Sequence, residues 1–74
     1  MVKRRVILTF NEESVAQPII HNLSQQFHIE TNIRRADISE SGGTIEVEID
    51  GKDSDIDAGL TWAISRGVRT EPLT

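Results

Sequence analysis

The residues with the chemistry to act fall into five groups. In Asp50-Gly51-Lys52-Asp53-Ser54-Asp55-Ile56-Asp57, the carboxylates of Asp53, Asp55 and Asp57 keep the spacing of the first oxygen ligands of an EF-hand calcium loop. The pattern fails further on, where Ala58 stands in place of the required glycine and Ile64 in place of the bidentate glutamate. Ile56 and Leu60 need the same segment to be helical, and acidic residues suit the positive end of a helix. His21 and His28 are seven apart, on similar azimuths of a helix, with no Asp or Glu at the spacing that closes a metal site. Ser14, Ser24 and Ser65 lack the context of a nucleophile elbow. Gly42-Gly43 lacks the lysine and the following hydroxyl of a phosphate loop. These residues assemble neither a catalytic set nor a metal set, so a non-catalytic chain with no cofactor is expected.

The fifth group is Thr31 to Ser39, TNIRRADIS. Its apolar residues do not keep one alternation, two arginines sit side by side, and Asn32 is a residue strands avoid. The asparagine amide can both donate and accept. Its two uses are a ligand contact and a bond to its own backbone at a bulge. Arg34 and Arg35 can guard a sheet edge against aggregation or meet an anionic group. Ile38 can belong to a core or line a small apolar pocket at a dimer interface.

The elements that would position these residues follow from the pattern around them. Val6, Leu8 and Phe10 share one face of a first strand, Lys3 to Phe10. Asn11 to Ser14 suits turns and helix caps. Val15, Ile19, Ile20, Leu23 and Phe27 recur at helical spacing, which predicts a helix over about Ala16 to Gln26 with Pro18 in its first turn. A second strand, about His28 to Ile38, changes phase near Arg34-Arg35, as a bulge would require. Ser41-Gly42-Gly43 is a turn. Ile45, Val47 and Ile49 then alternate with polar residues in a third strand, so that Arg5 can pair with Glu46 or Glu48 across the sheet. Asp53 or Ser54 caps a second helix with Ile56, Leu60, Ala63 and Ile64 inward, and Gly67 ends it. Val68 to Glu71 is the last strand.

This order, β-α-β-β-α-β, predicts an α+β fold, a ferredoxin-like sandwich. A four-stranded antiparallel sheet, ordered 4-1-3-2, carries two helices on one face, and the second strand lies at an edge. The 74 residues make one domain, 1–74, with marginal burial of the kind that dimerisation relieves. There is no cysteine, hence no disulfide, thiolate metal site or iron–sulfur cluster. The apolar run after the basic start is too short for a leader or a membrane span, and a soluble cytoplasmic chain is expected. The net charge of −4, with eight carboxylates against one lysine between Asp37 and Asp57, disfavours nucleic acid.

From Val6 through Leu73 the chain resembles the NIL domain. The resemblance is carried by RRVILTF, QPIIHNLSQQF, TNIRRADI, IEVEIDG and AGLTWAISRGVRTEPL. The family's Asn-Ile-Leu triplet stands here as Asn32-Ile33-Arg34, and the hairpin at Gly42-Gly43 is shorter than in the transporter form. The resemblance implies a regulatory domain of the kind found at the C-terminus of methionine-importing transporter ATPases. Such domains pair as dimers and bind methionine near the interface. A related form precedes a ferredoxin module in sulfur amino-acid metabolism, and here a free-standing domain is expected.

The resemblance implies ligand contacts at Asn32, Ile33, Arg34 and Ile38, and a homodimer joined along the second strand through Thr31, Ile33 and Arg35. Two functional readings stay open. One is a sensor of methionine or a related sulfur amino acid. The other is an interaction adaptor without a small ligand, docking to a transporter or ferredoxin-type partner protein.

Overall fold

A computed structural model describes residues 1–73. Strand β1 (Val2–Phe10) leads into α1 (Glu12–Val15) and α2 (Ile19–Gln26). Strands β2 (Glu30–Ser39) and β3 (Gly42–Gly51), helix α3 (Asp53–Ser65) and strand β4 (Arg69–Pro72) follow. The sheet order is β2-β3-β1-β4, every pair antiparallel, which is the expected order read from the other edge. The architecture is α+β and ferredoxin-like.

Alternation decides which side of the sheet is covered. Val6, Leu8 and Phe10 of β1 and Ile45, Val47 and Ile49 of β3 are buried beneath the helices, packed with Ile19, Leu23, Ile29, Ile56, Leu60, Ala63 and Val68. Among the described residues, no helix lies over the opposite side.

The helix expected over Ala16 to Gln26 starts later, at Ile19, and a separate one-turn helix, α1, precedes it. Asn11 Oδ1 accepts from the Ser14 N–H at 2.8 Å, and Ser14 Oγ accepts from the Asn11 N–H at 2.9 Å, a reciprocal cap that opens α1 one turn early. Pro18 cannot donate and disfavours helix at Gln17, so the chain breaks there and α2 starts with Pro18 at its cap. The cap of α3 is also different. Lys52 holds that position without a side-chain bond, and Asp53 is already helical. Ile64, expected inward, is 56% exposed. It lies a quarter-turn from the face of Ile56, Gly59, Leu60 and Ala63. Gly67, at φ +91°, ends this helix as expected.

The turn between β2 and β3 is Glu40–Ser41, and both glycines lie inside β3. Gly42 has φ +121° and Gly43 +146°, where a Cβ would run into the Phe10 and Asp37 carbonyl oxygens respectively. The last strand is displaced by one residue from the expected one, because Val68 is drawn into the core.

Candidate functional site

The candidate site is the outer edge of the sheet, where β2 pairs with β3 and, among the described residues, its other side meets no strand. Only Thr31 of its ten residues is partly covered; the other nine are exposed. The pairing runs Asn32 opposite Glu48 and Ile33 opposite Val47, then jumps to Arg35 opposite Glu46 and Ala36 opposite Ile45. Arg34 is the extra residue of a β-bulge, where the change of phase in the sequence places it.

The bulge sorts the side chains by face. Thr31, Ile33, Ala36 and Ile38 follow the helix-covered side. Asn32, Arg35 and Asp37 follow the open side, and Arg34 reaches the same side to bond Glu48. The four residues expected to contact a ligand therefore divide into two pairs. Asn32 and Arg34 are on the open face, Ile33 and Ile38 on the helix face. Within one chain they do not converge.

On the open face the centre is Glu48, which the sequence places only as one of two partners for Arg5. Arg5 Nε donates to its Oε2 at 3.2 Å, and an Arg34 terminal nitrogen donates to its Oε1, also at 3.2 Å. The carboxylate ties together three strands, β1, β3 and β2. Glu48 is only 8% exposed while both arginine side chains are half exposed, so their stems and head groups screen it from water. The hydrogen bond from Arg5, with the charge and bond of Arg34, holds its carboxyl below the usual glutamate range against the opposing effect of burial. Arg34 thus commits one arm of its guanidinium inside the chain. Asn32 is exposed, and among the described residues its amide has no hydrogen bond within the chain.

On the helix face, Ile38 borders a cavity of about 200 Å³ formed with Phe10, Val15, Pro18, Ile20, His21 and Ile45. It is mainly apolar and opens beside the unpaired edge. At its rim α2 begins without a side-chain cap; the Ile19 N–H bonds the Gln17 carbonyl at 2.8 Å, and among the described residues the N–H groups of Ile20 and His21 have no partner. Ile38 is 41% exposed and lines this cavity instead of closing a core. A larger depression of about 560 Å³ lies at the far end of β2 among Met1, His28, Glu30 and Asp50. His28 occupies a left-handed conformation there, φ +56°. Among the described residues no group of His, Cys, Asp and Glu is placed to hold a metal ion, and no helix is long and apolar enough to cross a membrane.

The family model of the NIL domain matches residues 4–72. The chain belongs to the NIL domain family. Its relatives include the methionine import ATP-binding protein MetN of Halalkalibacterium halodurans, 36% identical over 74 residues, which cover 95% of this chain. MetN 2 of Bacillus licheniformis, also a methionine import ATP-binding protein, is 28% identical over 75 residues, covering 96%. The NIL domain spans 22% of the length of each of these relatives. Among solved structures, the C-terminal domain of an ABC transporter ATP-binding protein from Enterococcus faecalis superposes with a TM-score of 0.86. That likeness covers 95% of this chain and 82% of the other at 24% identity, and it establishes the fold.

Proposed function

We propose that this NIL domain is a non-catalytic, cytoplasmic regulatory domain that binds methionine or a related sulfur amino acid where two copies meet along β2. The observation that carries the reading is the apolar cavity between Ile38 and the uncapped start of α2, open at an edge strand without a partner. An apolar side chain fits such a cavity. Partnerless N–H groups at its rim suit a carboxylate. The relatives' names, methionine import ATP-binding proteins, support the choice of amino acid and make a transporter subunit the partner of first choice.

Titration calorimetry with methionine tests the reading, and saturable heat is expected. Ile38→Asp should abolish that heat by placing a charge at the cavity mouth. Asn32→Ala should weaken binding by about 1–3 kcal/mol if its amide holds the polar end of the ligand. An unchanged affinity in Asn32→Ala confines the ligand to the cavity. No heat from the unmodified chain at millimolar methionine rejects the sensor and favours the adaptor reading.

A further inference from the structure

The open side of the sheet gathers positive charge from two strands that are not neighbours. Lys3 and Arg5 of β1 share this side, because Arg4 between them turns to the helix side and bonds Asp57 at 2.7 Å. Arg34 and Arg35 of β2 share it as well, although they are consecutive. In a regular strand consecutive side chains point to opposite faces, and the bulge suspends that rule here.

Between the two strands lies Glu48 of β3. Arg5 and Arg34 each commit one donor to it, and among the described residues neither arginine makes another side-chain hydrogen bond. Lys3 acts on the same carboxylate through space. Lys3 and Arg35 are exposed and, among the described residues, have no ion-pair partner. Four cations thus surround two carboxylates, the buried Glu48 and Glu46 opposite Arg35. Asp37, past Arg35, and Asp50, beside Lys3, bound this strip at its ends.

We propose that the strip is a binding site for a compact phosphoryl dianion, held by Arg34 and Arg35 with Arg5 and Lys3 behind them. It lies on the side of the sheet away from the cavity at Ile38, and neither site requires the other. Charge selects the ligand class. A single carboxylate would leave much of the surplus unmatched, whereas a phosphoryl group brings a charge of about −2 and several acceptor oxygens. The planar forks of arginine suit those oxygens. Asp37 and Asp50 repel a long polyanion, so a compact group fits where nucleic acid does not.

Glu48 gives the strip its shape. Its carboxylate holds two guanidiniums together that would otherwise repel, and fixes one arm of each before a ligand arrives. Donors placed in advance cost less ordering on binding. Guarding the sheet edge would need charge on β2 alone, yet Lys3 and Arg5 lie two strands inward.

NMR of the arginine Nε–H groups during titration with sodium phosphate tests the site, with sodium chloride at equal ionic strength as the reference. Phosphate should move the Arg34 and Arg35 resonances saturably, and chloride should not. Arg34→Gln and Arg35→Gln should each weaken binding about tenfold. Glu46→Gln, which breaks no side-chain bond among the described residues, should tighten it about threefold by removing a neighbouring negative charge. Titration with glycerol phosphate separates the two sources of the dianion. Tighter binding than that of the free ion assigns the site to a phosphate monoester, and equal or weaker binding assigns it to phosphate itself. Shifts that chloride reproduces, that do not saturate, or that persist unchanged in both arginine variants while circular dichroism shows them folded overturn the proposal.

Discussion

Strands β2 and β3 have the same length, lie side by side and are joined by a two-residue turn, yet they obey different rules. β3 is flanked by strands on both sides and covered by helices on one face. Its apolar residues alternate without a break, and Val47 and Ile49 are fully buried. β2 has a neighbour on one side only. Its alternation breaks at Arg34, and its large apolar residues stay exposed, Ile33 at 52% and Ile38 at 41%. Where a strand must fill a core, burial enforces the period. Where it borders solvent, that pressure is absent and the residues are open to other uses, here a bulge, a cluster of charges and a cavity rim.

The sharpest way to break this contrast is to truncate matched residues. Ile49→Ala in β3 should cost about 2–5 kcal/mol in urea unfolding, because its cavity sits in the packed layer. A cost near zero would remove the claim that β3 carries the fold. Gly43→Ala should cost about 1–3 kcal/mol, since it forces a side chain into a left-handed conformation against the Asp37 carbonyl. Unchanged stability would mean that the hairpin yields easily.

Glu48→Gln probes the junction between the two strands. The folded carboxyl titrates below the unfolded value of about 4.3, so its contribution is present above that pH and is lost as acid protonates it. The unmodified chain should be more stable than Glu48→Gln near neutrality, with the gap narrowing below about pH 4 in thermal scans. A gap independent of pH would contradict the ionic account. Ile33→Ala should have the smallest effect, within about 0.5 kcal/mol at concentrations where the chain is monomeric. A larger loss there would mean that β2 carries core weight after all.

Much of the fold was legible because four strand periods and two helical faces were imposed by one apolar layer. The bulge could be read too, from the change of phase between Ile33 and Ala36. The break at Pro18 was hidden, since Val15, Ile19, Ile20 and Leu23 keep helical spacing straight across it. The missing N–H of the proline decided the matter where periodicity was blind. Ile64 misled because it keeps helical spacing with Ile56 and Leu60, yet it lies a quarter-turn from the centre of the buried face. The site was less legible. The division of Asn32 and Arg34 from Ile33 and Ile38 depends on a register that local pattern does not contain. The burial of Glu48 depends on two arginines, one in β1 and one in β2, and alternation alone placed it in water.

That carboxylate also has an electrical consequence. Arg34 stands at the rim of the sheet and Arg5 in the central strand β1, and each is bonded to one oxygen of the Glu48 carboxylate. An anion arriving at the rim must compete with Glu48 for Arg34. If it wins, Glu48 is left with Arg5 alone, and the charge balance changes two strands inward without any movement of backbone. The edge and the middle of this sheet are one circuit, with Glu48 as its shared terminal.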